Sequence, residues 1–163
     1  MKFKLFGARS APLIDQVVGY PGHEVVAAFR RNSGLSSEQA DLLFEDTLRW
    51  LWLCRVFEED CLRPPKGLER LPDELSIFSS IKLLDEMWHQ FILCTPVYAD
   101  FCERVLGRFI HHRPEFSSDR VDREYETLIR YVHFRLGREV SNRWFVEYPA
   151  LLSVHLSGSG GRA

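Results

Sequence analysis

The chain has no C-x-x-C pair, no run of lysine and arginine, and no apolar stretch close to the length of a bilayer crossing. Each absence removes a class of function. Four cysteines (54, 61, 94 and 102) without that pair argue against a thioredoxin-type redox motif and against a zinc ribbon. A formal charge of −2 and a pI near 6.3 give no basic field for a phosphate backbone, so nucleic acid is not an expected partner. Leu51-Trp52-Leu53-Cys54 and Phe91-Ile92-Leu93-Cys94 are among the longest apolar runs, far below the roughly 20 residues that span a membrane. The opening MKFKLFGARSAPL has too short an apolar stretch for a secretory signal. The expectation is a soluble cytoplasmic protein with no membrane partner and with reduced thiols. No nucleotide-binding loop is present, so no nucleotide cofactor is expected. H-E-x-x-H and a paired E-x-x-H are also missing, which disfavours the familiar metalloprotease and di-iron bundle sites. No Ser, His and Asp grouping suggests a nucleophile.

What is abundant is large apolar side chains. Hydrophobic residues make up 45% of the 163, with 12 Phe, 5 Tyr and 4 Trp, so buried rings rather than disulfides or a metal should stabilise one ordinary domain. The expected fold is all-α: a single compact domain of five or six helices over 1–156, with no substantial sheet. Residues 1–22 are expected to be irregular and 157–163 to form a flexible tail.

Local signals place the helices. His23 to Asn32 has a helical apolar pattern closed by Gly34. Ser36 and Gln39 have capping-box spacing and open a long run from Glu38 to about Asp60, apolar on more than one face and so predicted to be the central buried helix. Cys54 and Cys61 on that helix are read as core or near-core thiols. Pro64-Pro65 ends it. A third helix is predicted from about Ser79, burying Ile81, Leu84, Met87, Trp88, Phe91 and Ile92. Thr95-Pro96 reads as an N-cap followed by proline at the first position of a fourth helix, which Gly107 ends. Arg108 to Ser117 is a connector. Ser118-Asp119 should cap a long amphipathic helix stopped at Gly137, and the segment from Ser141 to Leu152 should hold one short turn of helix near Trp144.

The chemistry-bearing residues gather in one block. Asp85 and His89 are four apart on the third helix and therefore share a face. Both can ligate a metal, or Asp85 can orient His89 by accepting its second ring proton. His111 and His112 follow in the connector. Adjacent residues of an extended backbone point opposite ways, so one of the two should face His89. Asp85, His89, His111 and His112 are thus the candidate metal ligands, a nitrogen and oxygen set suited to zinc or iron. Ring nitrogens more than about 6 Å apart would exclude a shared ion, whose bonds are near 2 Å. Cys102, among Phe101, Val105 and Leu106, is expected to be a small buried hydrophobe rather than a fourth ligand.

Asp85-x-x-Trp88-His89-x-Phe91-Ile92-Leu93, then Thr95, Tyr98, Phe101-Cys102, Gly107 and Phe109-Ile110-His111-His112-x-Pro114, resembles a block of bacterial proteins related to the helical amino-terminal part of plant glycine-rich-domain-containing proteins. The resemblance is closest over 79–114, with a weaker echo over 38–57. It implies a helical fold and brings no activity, cofactor or catalytic residue with it. Two functions remain open. One is a metal-binding domain that assists a hydrolysis or an oxidation of an unknown small molecule. The other is a non-enzymatic module for a protein or peptide partner, in which Trp88, Phe91, Tyr98, Phe101 and Phe109 form core or groove and the histidines are structural.

Overall fold

The computed structural model describes residues 10–112 and 121–152. Among these the chain is helical throughout its ordered elements and contains no strand. The first helix, α1, spans Ile14–Val18 and buries Val17. It lies within the stretch expected to be irregular, and five residues are too few to leave a periodic signal. Helix α2, His23–Ser33, ends at Gly34 as its pattern predicts.

Helix α3, Ser37–Leu62, is the axis of the fold. Its capping box forms, with the Ser36 hydroxyl accepting from the Gln39 amide N–H and the Gln39 side chain accepting from the Ser36 N–H. At 1.5 Å per residue it is about 39 Å long, enough for α1, α2 and the later helices to pack along it. Its entry is tight. A Cβ added at Gly22 would lie 2.0 Å from the ring of Phe44, which is buried edge-on to Phe91. Glycine at the start of α2 is therefore what lets that helix approach α3.

Polar groups are buried along α3 as well as apolar ones, and the hydrophobic pattern gives no hint of them. The fully buried Asp46 carboxylate accepts two hydrogen bonds from Arg143, at 2.6 and 2.9 Å, one from the Tyr148 hydroxyl at 2.6 Å and one from Arg49 at 2.8 Å. Four turns on, Asp60 accepts from Tyr131 at 2.7 Å and from both ends of the Arg135 fork. These two carboxylates fasten the C-terminal segment to α3. Burial, followed by the neighbouring carboxylate, pushes the Tyr131 and Tyr148 phenols up, and the Asp46 bonds hold the Arg143 guanidinium charged.

After the Pro64-Pro65 break and a connector, Ser79–Ile81 forms one 3₁₀ turn that leads into α4, Lys82–Leu93. Helix α5, Thr95–Asp100, follows at once. Its cap is Cys94 rather than Thr95. The Cys94 carbonyl accepts from the Val97 and Tyr98 N–H groups at 2.9 and 3.0 Å, so the helix opens one residue early and the Thr95 hydroxyl caps nothing. The chain widens into a π-helix over Phe101–Leu106 and stops at Gly107, in left-handed conformation at φ 74°. There the Arg108 N–H reaches back to the Cys102 carbonyl at 2.9 Å, one residue further than the six-to-one bond of a Schellman ending because the last turn is π-wide.

Helix α6, Val121–Asn142, is broken at Gly137 (φ 85°, ψ 175°), where the sequence predicts a stop. Beyond the break the chain returns to helix, passes through a wide turn at Arg143–Glu147 and stays helical to 152. The single short turn expected near Trp144 is thus an underestimate, because Arg143 and Tyr148 anchor the whole segment on Asp46. Trp144 packs on Trp50 with ring centroids 6.0 Å apart. The expected caps Ser118 and Asp119, the breaker Pro114 and the tail 157–163 lie outside the described residues.

Of the cysteines, Cys102 is buried as expected and Cys54 half-buried, whereas Cys61 is exposed and not a core thiol. Cys61 lies one position past Asp60, whose carboxylate takes the inward face. No described helix is long and apolar enough to cross a membrane.

Candidate metal centre

Asp85 and His89 stand one turn apart on α4, on the side away from α3. The inward side of that helix belongs to Leu84, Met87, Trp88 and Phe91, all buried. The His89 imidazole is about half exposed, and Asp85 is partly covered. His89 Nδ1 lies 2.7 Å from the Asp85 backbone carbonyl and 3.3 Å from its Oδ2. Both partners are acceptors, so Nδ1 must carry the proton and Nε2 keeps the lone pair.

His112 comes to the same carboxylate from the connector. Its Nε2 is 2.7 Å from Asp85 Oδ1, its side chain is only 13% exposed, and its ring sits 4.3 Å from that of His89. One carboxylate thereby joins two histidines, with a different oxygen to each. The ligand atoms of Asp85, His89 and His112 all lie within 4.8 Å of one another. Bonds of about 2.0–2.2 Å to one ion would set such atoms roughly 3–3.6 Å apart, so the wider separations would close by an ångström or so and the 2.7 Å contact between His112 and Asp85 would open slightly, both by side-chain rotation.

His111 is not part of this group. It is exposed, and its ring rests on Phe109 with centroids 4.9 Å apart. The alternation Ile110 in, His111 out, His112 in follows from the extended backbone, and it assigns His112 to the α4 side. Ile110 is the signal in the sequence for that choice: a buried apolar side chain two positions before His112 shares its face. Phe109 offers the same argument for His111, so the pattern alone leaves the two equal.

The walls of the site are aromatic. The Trp88 ring meets His112 edge-on at 4.5 Å. Trp88 Nε1–H donates to the Tyr98 hydroxyl at 3.1 Å, and that hydroxyl donates to the Ile110 carbonyl at 2.5 Å. Tyr98 is almost fully buried, and burial raises its phenol far above the ordinary range. Cys102 is buried in the π-helical turn behind the site, with its thiol against the Tyr98 hydroxyl and the Ile110 backbone N–H, and burial pushes the thiol up, which is the opposite of what a metal thiolate needs. Trp88 and Tyr98 are buried in the core, as expected for their rings, and what the sequence does not announce is the hydrogen-bond chain from the Trp88 indole through the Tyr98 hydroxyl to Ile110.

No curated protein and no solved structure gives a match to this chain. Over residues 68–143, which hold α4, α5, the connector and all of α6, the chain is similar to the family described as UCP032817-like.

Proposed function

We propose that Asp85, His89 and His112 bind one transition-metal ion, zinc or iron, at the open face of α4. The observation that carries this reading is the convergence of three ligand atoms from two separate chain segments within 4.8 Å. Two imidazoles and one carboxylate are the donor set of metal centres that keep positions free for water or substrate. The exposure of His89 leaves room for such positions. In the metal-free form Asp85 orients both rings, and to hold an ion through Nε2 His112 would have to pass the proton on that nitrogen to solvent or carry it on Nδ1 instead. A bound ion with free positions acts as a Lewis acid or as a redox centre, so the reaction class is metal-assisted hydrolysis or an oxidation of a small molecule. The likeness to the helical part of plant glycine-rich-domain-containing proteins belongs to the same proposal, as do a bacterial origin and a cytoplasmic location.

The test is elemental mass spectrometry on protein purified without a histidine tag, with His89→Ala alongside. Near-stoichiometric zinc or iron in the parent and none in the variant, with the helical circular dichroism intact, is the expected result. Equal metal in both, or none in either after anaerobic reconstitution, overturns the reading. A second reading, the interaction module, draws support from an apolar recess of about 430 Å³ between the start of α3, α4 and the C-terminal helix, where Leu35, Leu42, Leu83 and Leu151 meet. A peptide partner that binds the metal-free protein in that recess would favour it.

A further inference from the structure

His112 follows a mostly exposed part of the connector, which Arg108 ties to α3 through its pair with Glu58. Gly107, Arg108, Phe109 and His111 are exposed, and of the described residues 107–111 only Ile110 is buried. Next to His112 the backbone is held at Ile110, whose N–H reaches the Cys102 thiol and whose carbonyl takes the Tyr98 hydroxyl. A phenol has one proton to donate and two lone pairs to accept with. At Tyr98, the Trp88 indole N–H fills one lone pair at 3.1 Å, and the proton is left for the Ile110 carbonyl, 2.5 Å away. The ring itself is locked by edge-on contacts with Phe91 at 5.1 Å and Phe109 at 5.2 Å.

We infer that Tyr98 is the positioning residue of the metal centre, and that Trp88 aims it. Through one hydroxyl, Tyr98 ties the connector to α4 and α5, so that His112 is presented to Asp85 before any ion arrives. Trp88 acts twice, since its N–H orients the phenol while its ring forms the wall against which His112 stands. The spacing from Asp85 through Trp88, His89 and Tyr98 to His112 then describes one unit, with three residues to hold the ion and two to place the third of them. Burial supports the assignment, because a phenol kept neutral always has its proton for the carbonyl. The consequence for affinity rests on the metal reading; the placement of His112 does not.

The experiment pairs Tyr98→Phe with Trp88→Phe. Each keeps a ring and removes one hydrogen-bonding group. Cobalt(II) titration followed by ligand-field absorbance reads the centre, and zinc affinity by chelator competition gives the magnitude. Loss of an orienting group typically costs 10–100-fold in metal affinity, and Tyr98→Phe is expected to fall in that range, with an altered cobalt spectrum and unchanged helical circular dichroism. Trp88→Phe should weaken binding less, because the wall remains. Unchanged affinity and spectrum in Tyr98→Phe, beside a parent that binds, overturns the inference and leaves the metal reading standing. A parent that binds no metal ends the metal reading instead. The placement claim is then decided in the metal-free protein by the proton shifts of the His112 ring. The Trp88 ring current displaces them in the parent, and they should move toward free-imidazole values in Tyr98→Phe. Shifts that stay in place overturn it. Where Tyr98→Phe fails to fold, Trp88→Phe carries the metal readouts, and its placement readout is the nuclear Overhauser contact between the His89 and His112 rings, which is expected to weaken and which, if unchanged, overturns the inference.

Discussion

Replacing Asp46 by alanine is expected to cost the fold about 3–5 kcal/mol, the usual loss when one partner of a buried ion pair is removed. The magnitude follows from what stays behind. Arg143 is 7% exposed and would keep a buried charge with no carboxylate within the core, since its remaining acidic neighbour, Glu139, is 3.5 Å away at an exposed position. Tyr148 would lose the acceptor of its hydroxyl, and Arg49 one of its two carboxylates. For a domain of this size each kcal/mol is about 2–4 °C, so the melting temperature should fall by roughly 6–20 °C. Denaturant unfolding followed by circular dichroism measures it. A double variant, Asp46→Leu with Arg143→Met, should recover most of the loss, because an apolar pair of similar volume carries no desolvation cost. A cost below about 1 kcal/mol for Asp46→Ala, the value of an exposed pair, would refute the reasoning that the carboxylate fastens the C-terminal segment.

Two further outcomes follow from the packing and the buried phenols. Gly22→Ala puts a methyl 2.0 Å from the Phe44 ring and should destabilise the protein by about 1–3 kcal/mol, read as a lower denaturation midpoint with an unchanged slope. The buried phenols should make stability decline above pH 10. Tyr20 is pushed up to about 12, first by burial and then by its bond to Asp100, and Tyr98, Tyr131 and Tyr148 are raised further, so unfolding releases phenols that ionise at their ordinary value of 10.0. A folded-state value above the unfolded one stabilises fully below pH 10, and the gain is lost as pH rises from about 10 toward 12. Denaturant titrations across that window, with tyrosinate absorbance as a second probe, would contradict this if stability were flat.

The parts of the fold that were legible in the sequence are those governed by local rules. The capping box at Ser36, the left-handed stops at Gly34 and Gly107 and the break at Pro64-Pro65 each act within one turn of chain, and each stands where its residues predict. The misplaced elements turn on bonds that side-chain preferences do not announce, one local and the others distant in sequence. Cys94 displaces Thr95 as a cap by its carbonyl, and the helix beyond Gly137 persists because Arg143 and Tyr148 reach a carboxylate about a hundred residues earlier. Asp46 and Asp60 read as ordinary polar positions on a helix, since a buried carboxylate looks no different in sequence from an exposed one. The candidate site divides in the same way. Helical spacing pairs Asp85 with His89, and backbone alternation allows only one of His111 and His112 to join them. The choice of His112 is made by the Tyr98 bond to Ile110, which no spacing rule contains.

The proposed centre is tested most directly by zinc titration calorimetry on four tag-free proteins: the parent, His89→Ala, His112→Ala and His111→Ala. The account predicts one site per chain in the parent and in His111→Ala, whose ring rests on Phe109, and at least a tenfold weaker site in the other two. Equal binding by all four, or loss in His111→Ala with retention in His112→Ala, would contradict it.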